Sequence, residues 1–341
     1  MRKTMKFFML FVSALLLLVI ISACGDNTET SGEGSSSSSE LLKVAFNQPE
    51  NHPQFKAMES FGEKFNELTD GKYEIEVSPN ALLGEQRETI ELVQSGTIAM
   101  SIVGGSLMEN FNEDFAVFNL PYVFDSKEHQ MAVVNDQEIV SDLYSSVEDE
   151  GMTVVGAFHG GVRNVYNNER PVNTPEDMEG LKIRVMESDT NVQMLELMGG
   201  IGTPMGQGEV YTAIQSGVLE GGENNELIYN DLKHVEVAPY YSYTQHLMVP
   251  DYLIINSDLF NGMSDEHKEI FMDELSAAID MEVKQFDEDV QAAKEAAEAE
   301  GAEFNDVDIS VFQSEVEPLI QEKLTSDTAQ ELYEKVREAA E

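Results

Sequence analysis

Apolar and polar positions along this chain follow two alternating periods. Leu41 to Phe46, Tyr73 to Val77 and Ile98 to Val103 read as short strands, while Pro53 to Leu68 and Glu85 to Gln94 between them carry the spacing of amphipathic helices. A helical stretch near Lys127 to Val147 leads into a strand from Met152 to Phe158, and His159-Gly160-Gly161 then reads as a loop that begins a crossing to a second region. That region, Val162 to Val249, repeats the alternation, with strands near Leu181 to Val185 and Val218 to Glu220 and helices near Asn191 to Met198 and Val210 to Ser216. Such alternation predicts an α/β fold with a largely parallel sheet.

Ser264 to Ala299 lacks Gly and Pro and is rich in Ala, Glu, Lys and Met, with Ser264 placed as an N-cap before acidic residues. It predicts one helix of about 35 residues, roughly 50 Å long at 1.5 Å per residue. Ile270, Phe271, Leu275, Ile279, Val283 and Phe286 form its apolar stripe, so the helix should pack along two domains in turn.

The first residues bear on compartment. Arg2, Lys3 and Lys6 precede an apolar run from Phe7 to Ile21, too short to span a bilayer comfortably, and Ser22-Ala23-Cys24 follows as a lipoprotein cleavage pattern. Residues 1–23 are therefore expected to be a signal peptide, and Cys24 a lipidation site that anchors the protein outside the cytoplasm at the cell membrane. Residues 24–40, with five consecutive serines, read as a flexible tether. Cys24 is the single cysteine, so a nucleophilic-cysteine enzyme is excluded.

Acidic residues number 64 against 20 basic ones, a formal charge of −44 that reaches about −47 without Arg2, Lys3 and Lys6. This excludes a nucleic-acid partner and disfavours anionic surfaces. An anionic ligand would need local positive charge, and beyond the leader there are five arginines: Arg87, Arg163, Arg170, Arg184 and Arg337. The six histidines are scattered, and no HExxH, Walker, dinucleotide-binding or Gly-x-Ser-x-Gly pattern occurs, so neither metal nor cofactor is expected. With so many acids a chance carboxylate pair is to be expected, and a lipid-anchored hydrolase remains an alternative.

The segment Pro171 to Val185 carries the most local information. Thr174 is placed to cap a short helix with Pro175 at its first position, and Gly180 ends it before a strand. On that strand Leu181, Ile183 and Val185 share one face and Lys182 and Arg184 the other, with Arg184 at the carboxyl end, where open α/β sheets place their ligands.

A series of blocks in fixed order extends this. Asn51-His52-Pro53 follows the first strand, then come Leu83-Gly84-Glu85-Gln86-Arg87-Glu88, Gln94-Ser95-Gly96-Thr97, Leu120-Pro121-Tyr122-Val123-Phe124 and Gly161-Val162-Arg163. After the Pro171 block come Thr203-Pro204-Met205, Glu209-Val210-Tyr211 and Gly221-Gly222-Glu223-Asn224. From Leu41 to Ala299 the chain thereby resembles the solute-binding subunits of TRAP (tripartite ATP-independent periplasmic) transporters. The resemblance implies a two-domain, periplasmic-binding-protein-like (Venus-flytrap) α/β fold with a long helix spanning both domains: residues 41–160 with 250–288, and 161–249 with 289–341. It implies a binding role without catalysis, a small organic acid as ligand, and small and large membrane subunits as partners. An ABC-type binding protein is the competing transport class.

By the same resemblance Arg184 forms a two-pronged salt bridge to the ligand carboxylate, with Arg163 and Asn224 as further contacts. Arg163 also fits an ordinary ion pair and Asn224 a turn residue, and Arg87 fits a domain-internal ion pair as well as a contact. Gly104, Gln207 and Glu187 stand where sialic-acid-binding relatives carry a glutamate, an aromatic residue and an asparagine, which argues against that ligand. Gln207, Asn224, Asn225, His246, Asn51 and His52 would make a cleft rich in neutral donors and acceptors, suited to a hexuronate or related sugar acid. A C4-dicarboxylate, with Arg163 taking its second carboxylate, is the runner-up.

Overall fold

The computed structural model describes residues 39–340. The expected leader, Cys24 and almost all of the tether lie outside the described residues; Glu40, expected as its last residue, already begins a strand.

In chain order the first lobe starts with β1 (Glu40–Ala45), α1 (Pro53–Leu68), β2 (Tyr73–Ser78), α2 (Gln86–Gln94) and β3 (Met100–Gly104). Two 3-10 segments (Gly105–Asn110 and Glu113–Asn119), α3 (Lys127–Val134) and α4 (Gln137–Ser145) complete its helical side. The chain leaves along β4 (Met152–Asn167) and builds the second lobe from β5 (Lys182–Val185), α5 (Asp189–Leu197), β6 (Ile201–Pro204), α6 (Val210–Gln215), β7 (Gly221–Asn224) and α7 (Glu226–Asp231). It returns along β8 (Tyr240–Asn256) through α8 (Ser257–Gly262) into α9 (Asp265–Glu300), and ends with β9 (Glu303–Asp306), α10 (Ile309–Lys323) and α11 (Asp327–Glu338).

The nine strands form one sheet in the order β2-β1-β3-β8-β4-β7-β5-β6, with β9 on β8. Its outer parts are parallel, as the βα alternation predicts, but its centre is not: β8 runs antiparallel to both β3 and β4, and β7 antiparallel to β4. The reason is that β4 and β8 are the two traverses between lobes, made in opposite directions. The 3/4 spacing of α1 buries Phe55, Met58, Phe61 and Phe65, which pack with Phe271, Leu275 and Ile279 of α9. On the other face of the first lobe Phe115, Phe118, Tyr144 and Tyr252 form a second core. The second lobe is held by Ile183, Met194, Leu195, Phe312 and Leu319 on one side and Tyr166, Tyr229 and Tyr241 on the other.

The long helix is present at 36 residues, capped by the Ser264 side chain accepting from the His267 N–H and ended by Gly301 at φ +108°. At 1.5 Å per residue it is about 54 Å long. Phe271, Leu275 and Ile279 enter the first-lobe core, Phe286 and Ala293 pack with Leu227 of α7, and Ala297 enters the second-lobe core. One helix thus braces both lobes.

Five expectations are corrected. His159-Gly160-Gly161 is no loop: β4 runs through it with shifts in register, because pairing with β8 continues on both sides of the bulge. Gly161 has φ +81°, and a Cβ there would meet Asn225 Nδ2 at 2.5 Å. The helix expected near Lys127 to Val147 is divided at Asn135-Asp136, where the Asn135 amide bonds both the N–H and the C=O of Ala157 and the Asp136 side chain caps α4. The strand expected near Val218 to Glu220 begins at Gly221, since only glycine lets the chain lie against Tyr166 and Asn167 of β4. The helix expected after Thr174 is a single 3-10 turn, Pro175–Met178, with the Thr174–Asp177 capping box in place. Residues 289–341 were assigned to the second lobe, but α11 buries Ala329, Leu332 and Val336 beside Phe115 and Phe118 in the first.

Midway along α9, Glu282 is fully buried. One carboxyl oxygen accepts from the His159 N–H at 3.3 Å, and the other has no partner among the described residues. Burial pushes this carboxyl well above the usual range, with smaller effects from Asp251, Lys127 and Asp287. Burial therefore favours the neutral form of Glu282 in the folded protein over the ionised form it takes in water. Its contribution to stability is complete below about pH 4.5, the unfolded carboxyl range, and is lost as pH rises toward the folded value. Glu282→Gln should flatten the stability profile on the alkaline side and raise Tm at pH 9 by about 2–4 °C. Thermal melts of both proteins from pH 5 to 9 check this; parallel profiles would refute it.

Candidate functional site

The two lobes meet over a narrow cavity of ≈ 30 Å³ at the β4 and β8 crossings. Gln48, His52, Gln86 and Gly104 line it from the first lobe, and Arg163, Arg184, Gln207 and Asn224 from the second. Direct hydrogen bonds join its walls. Gln207 Nε2 donates to Gln48 Oε1 at 3.2 Å, Gly208 N to Glu85 Oε1 at 3.3 Å, and Asn51 Nδ2 to Asp231 Oδ2 at 3.0 Å.

Two guanidinium groups reach this space, in opposite electrostatic states. Arg163, on β4 and 6% exposed, is claimed by the fully buried Glu223 of β7. Its Nε donates to Glu223 Oε2 at 2.5 Å, and its Nη2 to Glu223 Oε1 at 2.7 Å and to the Glu223 carbonyl at 2.7 Å. Its Nη1 donates to Asn224 Oδ1 at 3.3 Å. Burial alone would raise the Glu223 carboxyl, but Arg163 and the neighbouring His246 outweigh it and hold the group at about 2.

Arg184, on β5 and 5% exposed, makes one hydrogen bond among the described residues, from Nε to the Met205 carbonyl at 2.8 Å. Among the described residues no carboxylate lies within salt-bridge distance of it, and both Nη groups remain unclaimed. Burial and the nearby Arg163 make this cation less favourable than in water and lower its pKa. Ile183 and Val185, its strand neighbours, are fully buried on the opposite face of β5, which aims Arg184 at the cavity.

The remaining expected site residues divide. His52 lines the cavity while its Nδ1 accepts from the Gln54 N–H at 3.3 Å to start α1; burial, with Lys56, lowers its pKa to about 3 and keeps the ring neutral. Gln207 and Asn224 also line it, and Asn224 Oδ1 is already engaged by Arg163 and the Asn225 N–H. Asn225 spends its side chain on the Gly160 carbonyl and on capping α7. Three expected residues do not line this cavity. Asn51 lies at the rim in its bond to Asp231. His246 lies behind Glu223, with Nε2 3.5 Å from Glu223 Oε2 and Nδ1 2.8 Å from Thr244 Oγ1, and burial lowers its pKa. Glu187 sits in an adjoining pocket, 3.8 Å from Arg87, so Arg87 takes part in an ion pair between lobes, not one within a domain.

Gln48, Gln86, Glu223 and Asp251 were missed. One glutamate among 64 acids carries no sequence signal of burial, and Gln86 lay inside a block singled out for other residues. Gln86 Oε1 accepts from the Gly104 N–H at 3.2 Å, which presents its amide to the cavity wall. Among the described residues no cluster of three or more His, Cys, Asp or Glu is placed to hold a metal ion, and no helix is long and apolar enough to cross a membrane.

Residues 44–327 match the family model described as bacterial extracellular solute-binding protein, family 7. A solute-binding protein of Chromohalobacter salexigens is 35% identical over 272 residues, covering 80% of this chain and 81% of its own. A TRAP periplasmic solute-binding protein from Anaerococcus prevotii, solved with bound α/β-D-glucuronate, superposes with a TM-score of 0.86 at 38% identity, covering 88% of this chain and 98% of that one. One from a Sulfitobacter species, with bound β-D-galacturonate, gives 0.83 at 33%, covering 88% and 100%.

Removing one partner of the buried pair exposes the other to an uncompensated site. Glu223→Gln should cost about 3–5 kcal/mol of stability, read from the urea midpoint at pH 7. Because the Glu223 pKa is depressed, the wild-type contribution is complete above about pH 4.5 and fades as pH falls toward 2, so the gap between the two proteins should narrow in acid. An unchanged midpoint at pH 7 would show that Arg163 does not depend on Glu223.

Proposed function

This chain belongs to family 7 of the bacterial extracellular solute-binding proteins, the binding subunits of TRAP transporters, and we propose that the solute it captures is a hexuronate. The observation that carries this reading is Arg184: a buried guanidinium, oriented by Met205, with two donor groups unclaimed at the cavity. A planar fork of this kind matches a carboxylate with two parallel hydrogen bonds. The solved relatives that bind D-glucuronate and β-D-galacturonate support the choice of ligand class.

The rest of the wall suits a polyhydroxylated ligand. Gln48, Gln86, Gln207 and Asn224 supply neutral donors and acceptors, and His52 is held neutral. The runner-up, a C4-dicarboxylate, needs a second available cation, whereas Arg163 is already neutralised by two bonds to the Glu223 carboxylate and Asp251 adds a further negative group to the wall. In this reading Arg163 is a positioning group that holds Asn224 toward the ligand.

Capture is a hinge motion about the β4 and β8 crossings and α9, and the bonds from Gln207, Gly208 and Asn51 across the walls latch the closed form. The closed protein delivers its ligand unchanged to the membrane subunits and performs no covalent chemistry. Cys24 is the proposed lipid anchor, and the segment from Gly25 to Ser39 the tether that lets the binding lobes reach those subunits.

Isothermal titration with D-glucuronate and D-galacturonate tests the ligand. Arg184→Ala should weaken the tighter of the two by about 2–5 kcal/mol with the fold intact by thermal melt; retained affinity would remove Arg184 from the site. The acidic surface makes a second prediction: raising salt from about 10 to 100 mM should speed association, because screening reduces long-range repulsion of the anion. Stopped-flow rates that only fall with salt would contradict it.

A further inference from the structure

We infer that Asp251 sets the selectivity of the cleft, accepting hydrogen bonds from ligand hydroxyls remote from the carboxylate and turning away a second carboxylate. This rests on the reading of Arg184 as the carboxylate partner and extends it to the opposite end of the ligand.

Asp251 lies on β8 where the strand crosses between lobes, directly across from Gly104 of β3, and it lines the same cavity as Arg184. One of its oxygens is held: Oδ2 accepts from Gln54 Nε2 at 2.8 Å, and the same amide nitrogen donates to the His159 carbonyl at 3.2 Å. Gln54 is itself buried on α1, so the carboxylate is fixed in orientation. The other oxygen, Oδ1, has no donor among the described residues, and no cation there comes within salt-bridge distance. Burial raises the Asp251 pKa, against the opposing effects of the Gln54 hydrogen bond and of Arg163, whose own donors are spent on Glu223 and Asn224.

Space beside Oδ1 is kept open by glycine. A Cβ at Gly104 would stand 3.7 Å from Asp251 Oδ1, 3.5 Å from Gln86 Oε1 and 3.0 Å from Met186 Sδ, so any side chain there would crowd the approach to that oxygen. The cavity thus has an unclaimed cation on one wall and an unclaimed, oriented acceptor on another. A ligand that satisfies both carries a carboxylate and, away from it, hydrogen-bond donors. An ionised carboxylate offers about four acceptor sites, so the oxygen can take two donors such as adjacent hydroxyls. A site built around a buried polar group discriminates strongly, since a ligand without the matching donor leaves that group unpaired. A second carboxylate at the same place meets like charge instead.

The test measures dissociation constants of wild type and Asp251→Asn for D-glucuronate, for its dicarboxylate counterpart D-glucarate, and for the zwitterion 4-aminobutyrate. The amide keeps an oxygen for Gln54 and nearly the same volume, and melting curves confirm the fold. Wild type should prefer glucuronate to glucarate, and the variant should lose about 10- to 100-fold on glucuronate while its loss on glucarate is much smaller or reversed, compressing the preference at least tenfold. Equal weakening of both sugar acids, with the preference intact, would overturn the inference and leave Asp251 as a support for the strand crossing. Wild type that takes 4-aminobutyrate in an Asp251-dependent way and neither sugar acid would refute the hexuronate reading while upholding Asp251 as the acceptor. No response of wild type to any of the three would overturn both.

Discussion

A buried guanidinium without a carboxylate of its own is the constraint on which the cleft depends. Taking a charge out of water is costly unless partners replace the hydration, and among the described residues Arg184 is given one carbonyl and no counter-ion. The stabilisation it lacks is what a bound carboxylate would supply, so the protein holds back local favourable energy for use in binding. This works only if the many acids of the chain are kept from Arg184. Glu223, the carboxylate buried beside the cavity, is occupied by Arg163 through two short bonds. That pairing leaves one arginine neutralised and one available.

The fold makes this arrangement possible by assembling the site from segments far apart in sequence. Arg163 and Glu223 are 60 residues apart and meet because β7 pairs antiparallel with β4. Asp251 comes opposite Gly104 through the pairing of β8 with β3, and Gln54 reaches both Asp251 and His159 from α1. Strands β4 and β8 cross together between lobes, and α9 backs the crossing with Glu282 bonded to the His159 N–H. The cavity wall and the hinge are thus the same few residues. A displacement of the lobes alters the site, and occupancy of the site biases the lobes.

Much of this was legible locally. The α9 helix was readable from end to end because its cap, its uninterrupted helix formers and its apolar stripe all point one way. The direction of Arg184 followed from strand alternation and the burial of Ile183 and Val185. Where local rules compete, the reading failed. Gly160 and Gly161 resemble a loop, but strand pairing on both sides carries β4 through them. Gly221 and Gly222 resemble a turn, yet they form the strand β7, since their missing side chains allow close approach to Tyr166. The length of β4 and β8 as traverses, and hence the antiparallel centre of the sheet, is a property of the pairing and not of either segment.

By itself the sequence determined the α/β alternation, the long bracing helix, the exceptional acidity and the placement of Arg184 at the end of a strand, all of which depend on neighbours within a few residues. It also marked the short list of arginines from which an anion site could be built. Only the tertiary structure decided that Arg163 is spent on Glu223, that His246 stands behind that pair and not in the cavity, that Asn51 is at the rim, and that Asp251 faces the space kept open by Gly104. These facts turn on the register between strands and on which charges desolvate together. Both are settled by long-range pairing, and residue type at a single position carries no record of them.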